Sequence, residues 1–128
     1  MNWVNLDLEC SLAANQAATG TKQVVEKLAT DAAAVLAENG LYAMFLYLWT
    51  RKPTEVQAVA KSVQREAVKL LRAHAGLAPG GDPERDWKQV MSGVADLSKD
   101  LGGLLLARKL MMQLLTYLRY EAKRLPER

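Results

Sequence analysis

Apolar residues recur at three- and four-residue intervals along most of this chain, and the intervals break at a few points marked by glycine or proline. Between Thr21 and Asn39, Val24, Val25, Leu28, Ala32, Val35 and Leu36 fall on one stripe, the period of a helix with a single buried face. Upstream, a first helix is predicted from about Leu6 to Thr19, with Asp7 and Glu9 near its positively polarised start. Thr19-Gly20-Thr21 either breaks or bends it. Asn39-Gly40 ends the second helix, and Gly40 reads as a cap because it has no Cβ to clash in a left-handed conformation. The residues from Leu41 to Trp49, LYAMFLYLW, then carry no charge, amide or hydroxyl apart from two tyrosine phenols. A helix apolar on most sides belongs in the interior. This segment is therefore predicted to be a short central helix, with Tyr42, Tyr47 and Trp49 as the residues to watch for partial exposure.

Pro53 disfavours a helical conformation at Lys52, and Thr54 followed by Gln57 has the pattern of a capping box. A fourth helix is predicted to run to about Ala75, with Val56, Val59, Ala60, Val63, Ala67, Leu70 and Leu71 on its apolar face. AGLAPGGDPERD is the one obvious loop. Asp82 followed by Pro83 and Glu84 reads as an N-cap with proline in the first turn, restarting a helix that pauses near Ser92-Gly93 and again at Gly102-Gly103. A last, unusually apolar helix is expected from about Leu104 to Leu125. The prediction is an all-α fold: one compact domain over residues 1–128, a bundle of five to six helices. Its expected core includes Leu28, Val35, Leu36, Leu41, Phe45, Leu48, Val63, Leu70, Leu114 and Leu118.

A length of 128 residues suits one core rather than two. Isoleucine is absent and only one phenylalanine is present, which favours helix over sheet. The single cysteine, Cys10, excludes an intrachain disulfide framework and a cysteine-rich metal site, and a cytoplasmic protein fits best. MNWVNLDLEC lacks the basic and apolar regions of a secretion signal. The two longest apolar stretches are interrupted by Glu38-Asn39-Gly40 and by Arg108-Lys109, so no membrane span is expected. Net charge is +3, but it is unevenly placed: residues 1–50 hold two basic and five acidic side chains, residues 51–128 fifteen and nine. That asymmetry favours a polyanionic partner.

Candidate chemistry is sparse. His74, the only histidine, falls at a helix end, where an imidazolium suits the dipole. Cys10 has no flanking base and reads as a packed residue. Asp82, Glu84 and Asp86 alternate like the start of a calcium loop, but Trp87 and Gly93 stand where its glycine and glutamate are needed. Gly80-Gly81 lacks the remainder of a phosphate loop. No catalytic residue, metal site or cofactor is predicted.

Cation rows are more informative. In the fourth helix Lys61, Arg65, Lys69 and Arg72 recur at intervals of four, four and three, within an arc of roughly 80° at 100° per residue. Only Glu55 and Glu66 offset the six basic residues between Arg51 and Arg72. Arg108, Arg119 and Lys123 form a second row on the closing helix. Both rows read either as solvated faces or as candidate surfaces for a polyanion, whose phosphates cations along a helix meet without reading sequence.

With these elements placed, ENGLYAMFLYL resembles the Asn-Gly-Leu signature of the small helical subunit of the type III-B CRISPR Cmr effector complex. LLTYLRYEAKRL is similar to that family's closing helix, with Tyr117, Leu118, Arg119, Tyr120 and Ala122 in comparable places. The pattern departs at Ala32-Ala33, where the family often has Leu-Pro, and at Tyr117, where it often has tryptophan. The resemblance implies a non-catalytic subunit, present in several copies that stack beside the repeated backbone subunit holding the guide RNA. Its partners would be the other Cmr subunits, guide RNA and target RNA, with no membrane. The alternative from the residues themselves is a helical adaptor that binds another protein and no nucleic acid. A small hydrolase with a carboxylate site has no motif behind it.

Overall fold

The computed structural model describes residues 5–127; residues 1–4 and 128 of the expected 1–128 domain lie outside the described residues. Among the described residues there are six helices and no strand: α1 (Leu6–Ala17), α2 (Lys22–Asn39), α3 (Leu41–Trp49), α4 (Thr54–His74), α5 (Trp87–Leu97) and α6 (Leu101–Ala122). They enclose one core, the all-α bundle that the periodicity predicts.

Helix ends follow from local chemistry. Asn5 opens α1, its side chain accepting the Leu8 N–H at 3.0 Å. The helix stops at Ala17, and Gly20 at φ +92 makes the junction a full break rather than a bend. Gly40 serves two helices. Its N–H donates to the Leu36 carbonyl at 3.0 Å to close α2, and its own carbonyl accepts the Met44 N–H at 3.1 Å to open α3. No loop intervenes. Its φ of 94 and ψ of −176 are extended rather than left-handed helical, a region essentially confined to glycine. Gly40→Ala is therefore expected to cost about 1–3 kcal/mol, although no atom lies within 4 Å of an added Cβ. A urea melt checks this, and an unchanged midpoint contradicts it. Arg51 closes the far end of α3. Its Nε donates to the Tyr47 carbonyl at 2.7 Å, and its guanidinium lies over the Tyr47 ring at 3.8 Å.

Several predicted boundaries are corrected. The Thr54 capping box does not form: Pro53 is the N-cap, its carbonyl accepts the Gln57 N–H at 2.9 Å, and Thr54 already lies inside α4. Asp82 caps only an isolated turn, accepting the Glu84 N–H on Oδ1 at 2.9 Å and the Asp86 N–H on its carbonyl at 2.8 Å. Helix α5 begins afresh at Trp87, whose ring stacks on Trp49 with centroids 4.3 Å apart and planes 1° apart. Neither Ser92-Gly93 nor Gly102-Gly103 interrupts a helix. Gly93 lets Leu77 approach, within 3.1 Å of where a Cβ would stand, and Gly103 sits against Leu97 and Asp100. The break falls instead at Ser98–Asp100, so α6 starts at Leu101 and ends at Ala122 rather than Leu125.

Packing places α4 and α6 diagonally. Each lies against both α1 and α2, while α1 meets α2 little and α4 meets α6 only along a narrow strip. Helix α3 leans on α2 and α4 and reaches α5 and α6. Its Leu41, Met44, Phe45 and Leu48 are buried, so the apolar segment does lie centrally. Tyr42 and Leu46, one turn apart, stay exposed, and Tyr47 and Trp49 are half-buried. Of the expected core, Val35 alone is not buried: it sits 100° round the helix from Leu36, at the margin of the inward stripe.

Candidate nucleic-acid interface

Helix α4 is buried over most of its circumference, from Val59 and Ala60 through Val63, Ala67 and Val68 to Leu71. What it exposes is mainly the strip carrying Lys61, Arg65 and Lys69. Glu66 lies beside that strip and is nearly covered; its carboxylate meets Lys69 Nζ at 3.4 Å and Arg65 Nε at 3.9 Å. Arg65 also donates to Ser62 Oγ at 3.4 Å. These contacts hold the two cations along the helix.

Arg72 has a different task. Its Nε donates to the Ala78 carbonyl at 3.2 Å and its Nη1 to the Gly81 carbonyl at 3.0 Å, so the guanidinium clasps the loop after α4. The loop brings acids with it: Asp82 and Glu84 line a recess of about 300 Å³ together with Arg65, Lys69 and Arg72. The expectation that only Glu55 and Glu66 offset this row is therefore corrected. Folding returns residues ten or more positions away onto the end of the helix, which spacing along α4 does not reveal. Arg72→Ala is expected to release the loop, speeding amide hydrogen exchange over residues 78–86 while the α4 interior keeps its protection. Unchanged loop exchange would remove Arg72 from this role.

The second row is split. Arg108 is half-buried, and its Nη2 reaches the Leu36 carbonyl at 3.5 Å, the same carbonyl that accepts the Gly40 N–H, at the negatively polarised end of α2. Arg119 and Lys123 are exposed near the other end of α6, lining a recess of about 260 Å³ with Glu26, Thr116 and Tyr120. Lys123 Nζ stands 5.5 Å from the Tyr120 ring. Among the described residues, Arg119 and Lys123 share no recess with the α4 cations. The residues the structure gathers into one surface are Lys61, Arg65 and Lys69.

A further group escapes the sequence reading. Gln57, Lys61 and Gln64 recur at four- and three-residue intervals on α4 and, with Leu48 and Trp49 of α3, line a cavity of about 200 Å³. Gln64 is 3 % exposed, and its Nε2 has no hydrogen-bond partner. The intervals were visible as a polar stripe; the burial was not, because α3 covers that part of the stripe.

The remaining candidates lie outside that cation strip. His74 closes α4 and borders a groove against α1 with Glu9 and Gln16. Cys10 is fully buried, and its Sγ donates weakly to the Leu110 carbonyl at 3.6 Å. Burial, reinforced by the negative charges of Asp7 and Glu9, pushes its thiol up to about 11. With so little thiolate near pH 8, alkylation by iodoacetamide is expected to be at least tenfold slower in the folded chain than in urea. Equal rates would contradict that burial. Tyr117 donates to Asp7 at 2.6 Å, and that bond raises the phenol above its ordinary value. Among the described residues no group of three or more His, Cys, Asp or Glu side chains is placed to hold a metal ion, and no helix is long and apolar enough to cross a membrane.

Compared with known proteins, the chain matches no protein-family model, no curated sequence and no solved structure.

Proposed function

We propose that this chain is a non-catalytic, RNA-contacting subunit of a type III-B CRISPR ribonucleoprotein, working in the cytoplasm beside a repeated subunit that carries the guide RNA. One observation carries the reading most: α4 is a deeply buried helix whose exposed strip presents Lys61, Arg65 and Lys69. Eight residues at about 1.5 Å each place the outer two cations roughly 12 Å apart, the span of three or four phosphates at about 3.4 Å per step of one strand. Such contacts position a strand without reading it, which suits a subunit lying beside base-paired guide and target. The motif resemblance at Asn39-Gly40-Leu41 and Tyr117–Ala122 supplies the choice of complex.

The test is co-purification. Tagged chain from its native cell is expected to bring down short RNAs that share a 5′ tag derived from the repeat. Recovery of protein partners without RNA would favour the adaptor reading, which has its own support in the exposed apolar pairs Leu8/Leu12, Tyr42/Leu46 and Leu101/Leu105. Each pair is spaced to share a helix face. Purified chain incubated with guide and complementary target is expected to leave both intact. Cleavage that survives repurification and disappears on changing one carboxylate would overturn the non-catalytic role.

A further inference from the structure

Buried amides in folded proteins are almost always hydrogen-bonded, because an unmet donor loses its water without replacement. Gln64 breaks that rule: its Nε2 has no partner and the residue is 3 % exposed. Nor does the surrounding helix require a polar residue there. Val63, Ala67 and Val68 show that α4 fills its covered positions with aliphatic side chains. Gln64 lines the cavity with Leu48, Trp49, Gln57 and Lys61, so the residue that carries the unmet donor also borders an open volume.

The chemistry of that lining is specific. It combines two amides, one indole, one aliphatic wall and an exposed ammonium that forms no ion pair among the described residues. Amides pair with the edges of heterocycles that carry both donors and acceptors, indoles lie against their faces, and an ammonium meets a phosphate. The volume, about 200 Å³, is below the roughly 300–1,000 Å³ of pockets that enclose a whole drug-sized ligand. It suits one ring with its chain of attachment outside. The indole is held in place by its stack on Trp87 of α5.

We propose that this cavity takes a single unpaired RNA base, with the Gln64 amide on its edge, Trp49 beside it and Lys61 on the adjoining phosphate. The proposal rests on the RNA reading and deepens it. Phosphates would run along Lys61, Arg65 and Lys69, and one base would leave the strand's own stack to enter between α3 and α4. Single strands, or an unpaired nucleotide next to a duplex, would then bind better than continuous duplex.

The experiment compares two single-stranded RNAs of roughly eight nucleotides, one intact and one with abasic positions that keep every phosphate, binding to the purified full chain. The parent chain is expected to favour the intact strand by about tenfold, the scale of one stacked base. Gln64→Leu is expected to abolish most of that preference while leaving the salt dependence unchanged, because it alters no charge. Leucine also removes an unmet buried donor, so the thermal midpoint should hold or rise, which separates loss of binding from loss of fold. Trp49→Leu should reduce the preference likewise. If the parent binds both strands equally, or Gln64→Leu keeps the full preference, the base cavity is refuted and the phosphate-binding ridge stands. If the parent binds neither strand and the assembled complex contacts RNA only elsewhere, the RNA reading itself fails and takes the cavity with it. Occupation of the cavity by a peptide carboxylate, seen as competition by peptide and not by nucleotide, likewise refutes it.

Discussion

Replacing Phe45 with alanine is expected to lower the free energy of unfolding by about 3–5 kcal/mol, the range for removing a fully buried aromatic ring. Phe45 is completely inaccessible and lies on α3, which is packed against α2 and α4 and fixed at both ends by Gly40 and Arg51. A helix of nine residues held in this way has little freedom to collapse into the space that the ring leaves. Most small domains are stable by only about 5–15 kcal/mol in total, so the variant should sit close to its unfolding threshold. Phe45→Leu is the control, expected to cost less than about 1.5 kcal/mol if the neighbours repack around a similar volume. Urea titration of the three proteins measures both values. A loss below about 1 kcal/mol for Phe45→Ala would mean that α3 is not the interior element described here.

Neutralising Lys61, Arg65 and Lys69 together as glutamine is expected to have the largest effect on RNA. Removing three phosphate contacts should reduce the slope of log affinity against log salt by about two for a single strand. Arg72 is left out because its guanidinium holds the loop carbonyls of Ala78 and Gly81, and a change there would confuse a folding effect with a binding effect. Helicity should persist, since all three side chains project from the exposed strip and glutamine is a good helix former. Neutralising Arg119 and Lys123 at the end of α6 provides the comparison. If that pair lowers the slope and the α4 triple does not, the strand runs along α6 instead.

Much of this fold is legible because the signals are local and agree with one another. Gly40 has to end a helix whatever surrounds it, and LYAMFLYLW is too apolar to face water, so their places follow from a few neighbouring residues. Boundaries set by distant contacts are a different matter. Trp87 begins α5 where it meets Trp49, 38 positions earlier in the chain, and Gly93 and Gly103 are explained by the side chains that pack on them rather than by helix breaking. The candidate site divides in the same way. The spacing of Lys61, Arg65 and Lys69 predicts a shared strip, and they do share one. What spacing omits is commitment. Arg72 and Arg108 are drawn onto carbonyls of other segments, and Asp82 and Glu84 fold back toward the cations. Gln64 reads as an ordinary helix residue until α3 is laid over it.

Ultraviolet crosslinking of RNA to the chain within its native assembly, followed by mass spectrometry of the crosslinked peptides, tests the central claim most directly. The expected result is short RNA sharing a common 5′ sequence, attached to peptides from the end of α3 and the middle of α4, around Trp49 and Lys61–Lys69. Crosslinks confined to α6, or an assembly in which the chain contacts protein and no RNA at all, would contradict it.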